Sequence, residues 1–151
     1  MALYYLETSA LVKLYIRERG TDRLLQLAIN SIENRFAVLS LSQVEFRSAI
    51  RRRQRAGDIA PKTAGLILDH FQQHMETKFL RQVLSDSVLD GASEMIDRYA
   101  LRAYDAVQLA GCLVLKIAVG AEQPTFVCSD LQLLEAARSE QLSILDPSEP
   151  N

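Results

Sequence analysis

The 151-residue chain has no tryptophan, two histidines, two cysteines and four prolines. Two histidines nearly exclude chemistry that needs several imidazole ligands. Cys112 and Cys128 supply neither a disulfide framework nor zinc-site spacing, which is the pattern of a reduced, cytoplasmic chain. A basic excess is also missing. The 17 Lys+Arg and 19 Asp+Glu give a formal net charge of −2, so composition alone carries no footprint of a polyanion partner. The most apolar stretch, 103–119, contains Asp105, Gln108 and Lys116 and reads as a buried amphipathic helix, not a membrane span. The opening MALYYLETSALVKLY lacks a basic leader and is interrupted by Glu7, so it does not read as a signal peptide. GxxxxGK[ST] and GxGxxG are absent, which argues against P-loop and Rossmann nucleotide sites. An enzyme with this inventory works mainly with carboxylates.

What is present is a globular composition, 48% hydrophobic and 24% charged. The length suits one domain, read as 1–146, with prolines 147 and 150 marking a loose tail over 147–151. Short apolar runs predict strands at 3–6, 36–41, 79–84, 124–128 and 142–145. Between them, helical periodicity predicts helices over 10–17, 22–32, 42–55, 61–76, 86–99, 103–119 and 130–139, with Thr8 or Ser9 capping the first. Strands alternating with helices imply an α/β fold with a mainly parallel sheet. Such sheets bind ligands beyond the carboxyl ends of their strands.

The informative residues therefore follow strands. Glu7 follows the first, Glu45 lies in the first turn after the second, and Asp130 follows the fourth. Asp105 sits on the apolar helix, where an unpaired carboxylate is costly. Each has a structural reading as well. Ser42 and Glu45 have the spacing of a capping box. Asp130 suits a helix start. Glu7 can face solvent, and Arg102 at i−3 can pair with Asp105. If all four converge, mutual repulsion raises their pKa values unless cations neutralise them. Such an oxygen-only set suits Mg²⁺ or Mn²⁺ and metal-assisted phosphodiester cleavage without histidine.

These segments resemble the PIN-domain family, in particular the VapC-type toxin ribonucleases. YYLETSALVKLY resembles the family's opening strand with its acidic residue, LSQVEFRSAI the helix-borne Glu, LRAYDAVQLA the third acidic motif, and FVCSDLQLLEAA the fourth. The resemblance covers nearly the whole chain. It implies a three-layer α/β/α sandwich and a Mg²⁺- or Mn²⁺-dependent endoribonuclease. Glu7, Glu45, Asp105 and Asp130 are its acidic metal-site and catalytic positions, and Ser9 supports them. It also implies an RNA substrate, a small antitoxin encoded alongside, and a homodimer. Two residues depart from the pattern. Glu7 stands where the family has Asp, and its longer stem shifts the carboxylate. Cys128 stands where the family has Thr. The Glu7 departure keeps a second function open: a weakly active or inactive scaffold that works by protein binding or dimerisation.

Five arginines fall within 47–55, and Arg47, Arg51 and Arg55 share i, i+4 spacing. They form a candidate track for RNA phosphates, or a solvated face that favours the helix C-terminus. His70 and His74 have metal-ligand spacing but no evident third ligand. Tyr104 suits either base stacking or helix packing.

Overall fold

The first strand, β1 (Ala2–Leu6), sends Leu3 and Tyr5 to one face and Tyr4 and Leu6 to the other. Both faces are apolar, which marks a strand covered by helices on both sides. The computed structural model describes residues 1–150. In chain order, β1 is followed by α1 (Thr8–Lys13), α2 (Thr21–Ile29), β2 (Asn34–Leu39), α3 (Ser42–Arg55), α4 (Pro61–Thr77), β3 (Leu80–Gln82), α5 (Asp86–Arg98), α6 (Ala103–Val119), β4 (Pro124–Val127), α7 (Leu131–Ser139) and β5 (Ser143–Leu145).

The five strands form one sheet in the order β3-β2-β1-β4-β5, and every pairing is parallel. The chain builds outward from β1 through β2 to β3, then returns to the other side of β1 for β4 and β5. The direction of winding therefore reverses between β1 and β4, the place where a crevice opens at the carboxyl ends. On one face, Leu3, Tyr5, Ala37, Leu39 and Phe126 pack against α5, α6 and α7. On the other, Leu6, Phe36, Val38 and Val127 pack against α1, α3 and α4. These are the layers of an α/β/α sandwich around a parallel sheet.

The cluster of Tyr15, Phe46 and Phe71 ties the end of α1 to α3 and α4. Its ring centroids lie 4.1 Å apart for Phe46–Phe71 and 5.1 Å for Tyr15–Phe46. Phe46 is fully buried next to Glu45, so core packing fixes the helix turn that carries this carboxylate.

Several local expectations change. The helix predicted over 10–17 is the shorter α1, and Thr8 and Ser9 lie inside it. Its N-cap is Glu7, whose side chain accepts from the Ser9 amide. The capping box at Ser42 does not form. The N-cap of α3 is Leu41 with no side-chain cap, and Ser42 and Glu45 turn their side chains to other partners. Beyond β5, Pro147 is buried. Ser148 Oγ hydrogen-bonds with Ser129 Oγ at 3.0 Å, and the Ser148 amide donates to Asp146 Oδ1 at 2.9 Å. Asn151, the last residue of the sequence-predicted tail, lies outside the described residues.

Candidate active site at the carboxyl end of the sheet

The winding reversal sets Glu7 and Asp130 side by side in topology, since β1 and β4 are paired neighbours. Asp130 caps α7 by accepting from the Leu133 amide at 3.1 Å, so the structural reading of this residue holds. The same bond anchors its carboxylate. The Asp130 amide in turn donates to Cys128 Sγ at 3.2 Å, which gives the buried cysteine a part in shaping the β4–α7 turn.

Glu7 is 7% exposed. It accepts hydrogen bonds from the Ser9 amide at 2.9 Å and from the Ser9 hydroxyl. Burial nevertheless pushes its carboxyl up to about 7, and the negative charges of Glu45 and Asp105 add to the rise. No cation offsets this, and Lys13, which lines the same cleft as Glu7, pairs with Glu18 at 3.3 Å.

Asp105 lies in the first turn of α6, two residues inside its start, and not in the helix middle. A carboxylate there is favoured by the helix dipole, so its local cost is smaller than the sequence suggested. Arg102 approaches it at 3.7 Å but is 89% exposed, and such pairs contribute little. Burial raises the Asp105 pKa, Arg102 opposes the rise, and Asp130 adds to it.

Glu45 stands on α3 and shares a cleft with Glu7 that neither Asp105 nor Asp130 lines. Its Oε1 accepts from Gln108 Nε2 at 2.7 Å and from Thr8 Oγ1 at 3.0 Å. The charge influences link the four expected positions, Glu7 to Glu45 and Asp105, and Asp105 to Asp130. They do not form a closed cage as they stand. Among the described residues, no group of three His, Cys, Asp or Glu side chains could hold one metal ion in its present conformation.

The donor chemistry nevertheless suits a hard divalent cation. Glu7, Glu45 and Asp130 each use one carboxylate oxygen in a local bond and leave the second without a hydrogen bond among the described residues. A buried carboxyl with a raised pKa and no cationic partner is a group whose ionised form a divalent ion would favour.

A cleft of about 710 Å³ opens over Glu7 and Glu45, lined also by Thr8, Ser9, Lys13, Arg52, Arg53 and Tyr104. The arginines in this lining are not those predicted. From Glu45, Arg52 is displaced by about 20° around the helix, whereas Arg47, Arg51 and Arg55 are displaced by about 160°, 120° and 80°. The i, i+4 rule grouped arginines with one another, not with the carboxylate. Phasing the helix on Glu45 identifies Arg52 from sequence alone. Tyr104 is 63% exposed, so it does not fill a helix-packing role. Lys13, Thr8 and Gln108 carried no sequence signal that marked them as parts of the site.

His74 has a packing role. His74 Nδ1 lies 2.6 Å from the Tyr15 hydroxyl, and the ring packs beside Phe79. Burial lowers its pKa, with Lys78 and His70 adding to the effect. Both thiols are buried, and burial pushes them up, so neither Cys112 nor Cys128 is poised as a nucleophile. Among the described residues, no helix is long and apolar enough to cross a membrane.

The comparisons agree with this architecture. The PIN domain model matches residues 4–122. Ribonuclease VapC35 of Mycobacterium tuberculosis is 30% identical over 149 residues, covering 97% of this chain and 98% of the relative. VapBC2 from Rickettsia felis, solved bound to a promoter DNA fragment, has a similar fold with TM-score 0.67 at 13% identity over 95% of this chain and 97% of that one. A toxin–antitoxin complex from Klebsiella pneumoniae gives TM-score 0.67 at 12% identity, over 97% of this chain and 99% of that one. The structural likenesses speak for the fold, while the domain match and the curated relative carry the family assignment: the chain belongs to the PIN-domain family and is VapC-like.

Proposed function

We propose that the chain is a divalent-metal-dependent endoribonuclease, the toxin of a VapBC-type pair, with Glu7, Glu45, Asp105 and Asp130 as the metal-holding and catalytic carboxylates. The observation that carries this reading is Glu7. Its carboxyl is buried at the winding reversal of the sheet, lines the same cleft as Glu45 and keeps one oxygen free of hydrogen bonds, and burial pushes it up to about 7 with Glu45 and Asp105 adding to the rise. Burying a carboxylate without a cationic partner is costly, and such groups cluster where their charge has a use.

Bound Mg²⁺ or Mn²⁺ would supply charge neutralisation at the phosphodiester and activation of the attacking water. The chain's own residues do the rest. Ser9 holds Glu7 through its amide and hydroxyl. Thr8 and Gln108 hold Glu45, and the cap of α7 holds Asp130. Arg52 lines the cleft with a guanidinium that has no carboxylate partner among the described residues, which suits an RNA phosphate, whereas Arg53 and Lys13 pair with Glu18 at 2.6 and 3.3 Å. Tyr104 offers an exposed ring to a base. A small antitoxin and a second copy of the chain are the proposed partners, and the cytoplasm is the proposed compartment.

The test is cleavage of single-stranded RNA with Mg²⁺ or Mn²⁺, with EDTA as control. Wild type cuts only with metal, and Asp105→Asn does not cut while unfolding at the wild-type midpoint. Full activity in that variant overturns the proposed site. The second reading, an inactive scaffold, draws on the absence of a closed three-ligand group among the described residues. It predicts that wild type takes up no divalent ion and cuts nothing.

A further inference from the structure

Gln108 is wholly buried and joins two layers of the fold. It stands on α6, yet its carboxamide meets side chains that follow β1 and β2 on the opposite layer. Oε1 accepts from the Tyr5 hydroxyl at 3.1 Å. Nε2 lies 2.7 Å from Glu45 Oε1, 2.9 Å from Ser42 Oγ and 3.2 Å from Thr8 Oγ1. A carboxylate only accepts, so the amide nitrogen faces Glu45 and its oxygen is left for Tyr5. Thr8 adds a second bond to the same Glu45 oxygen at 3.0 Å.

One turn further along α6, Gly111 makes room for this chain of bonds. A Cβ at position 111 would lie 2.5 Å from the Tyr5 hydroxyl oxygen and 3.1 Å from Leu39 Cδ1. Any larger residue displaces the hydroxyl that orients Gln108. The sequence YDAVQLAG therefore places an acidic residue, an amide three positions on and a glycine three positions beyond that on one helix.

We infer that Gln108 is a positioning residue for the metal site. It pins one oxygen of Glu45, so the other alone is available to a cation, and Tyr5 with Gly111 sets its orientation. This inference rests on the nuclease reading only in taking Glu45 as a ligand. Hydrogen-bonded partners of ligating groups fix their orientation, and their loss costs on the order of 10–100-fold.

The experiment titrates Mn²⁺ alone into metal-free protein by calorimetry and follows urea unfolding of the same samples. Gln108→Leu binds Mn²⁺ at least about tenfold more weakly. Gly111→Ala, acting through Tyr5, weakens binding in the same direction. Gln108→Leu leaves the Tyr5 hydroxyl without its acceptor, so the fold is strained as well. The double variant Tyr5→Phe/Gln108→Leu removes both groups of the Tyr5–Gln108 bond, which recovers the part of the stability lost by leaving the Tyr5 hydroxyl unpaired. Its Mn²⁺ affinity stays low if Gln108 acts through Glu45. Wild-type affinity in Gln108→Leu overturns the inference, as does affinity that recovers with stability in the double variant, or wild type that takes up no Mn²⁺. A wild type that binds Mn²⁺ through this network yet leaves RNA uncut overturns the nuclease reading and keeps the positioning role.

Discussion

Replacing Glu7 by Gln removes a charge from a buried site and leaves a group of the same shape. The Gln carboxamide oxygen can still accept from Ser9, so the cap of α1 survives. The carboxyl has an ordinary value of 4.5 and is pushed up to about 7 in the fold. It therefore binds its proton more tightly folded than unfolded. Stability falls as pH rises from about 4.5 to about 7 and stays low above that, because the folded protein must then carry the buried charge. The rise corresponds to on the order of 3 kcal/mol at about 1.4 kcal/mol per pH unit. At pH 8 in EDTA, Glu7→Gln should be more stable than wild type by that amount, roughly 6–12 °C in Tm for a chain of this size. At pH 5 the gain should shrink below about 1 kcal/mol. Urea unfolding at both pH values measures the difference. Mn²⁺ at 1,000 times its Kd then reverses the order at pH 8, because an ion that binds only the folded wild type adds about 4.1 kcal/mol at that concentration. A stability difference independent of pH, or a Gln variant less stable at pH 8, refutes the claim that Glu7 is held at an energetic cost.

The cleft makes further predictions. Arg52→Glu should weaken binding of single-stranded RNA and lower the salt slope by about 1, whereas Arg47→Glu should change both far less. Filter binding across a salt series decides between the two helix faces. Tyr104→Ala should lose about 1–3 kcal/mol of RNA affinity, and an unchanged Kd removes the ring from the binding surface. Phe46→Ala should cost about 3–5 kcal/mol of stability, read by urea unfolding, through the cavity left between α3 and α4.

The layers and the parallel sheet were legible because both are written in apolar periodicity. The α6 helix was read to the residue, since its apolar face has a clear start and a glycine stop. The ends of α1 and α2 were not. The apolar residues Leu14, Tyr15 and Ile16 continue the pattern past α1, but they pack against the core from irregular backbone. Periodicity reports burial, and burial does not require a helix. Ser42 misled in another way. Its spacing to Glu45 suits a capping box, yet both side chains have stronger tertiary partners in Thr8 and Gln108.

That Glu7, Glu45 and Asp130 follow strands was legible from the apolar runs before them, whereas the favoured place of Asp105 in the first turn of α6 was not. What holds these carboxylates was not legible either, because a buried amide partner such as Gln108 leaves no periodic trace. Glu7 is the clearest case. The sequence marks its extra methylene as a displacement, and glutamate is not among the favoured N-cap residues. In the fold the longer stem turns back so that Oε2 accepts from Ser9 and closes the first turn of α1. One oxygen is thereby committed to starting a helix of six residues, and only the other remains for a cation. The substitution thus couples the order of α1 to the charge state of the site. Neutralising Glu7 relieves the burial cost and weakens its bonds to Ser9 in the same step. A divalent ion would relieve that cost while keeping the carboxylate that caps the helix, which is why Glu7 is compatible with a working site.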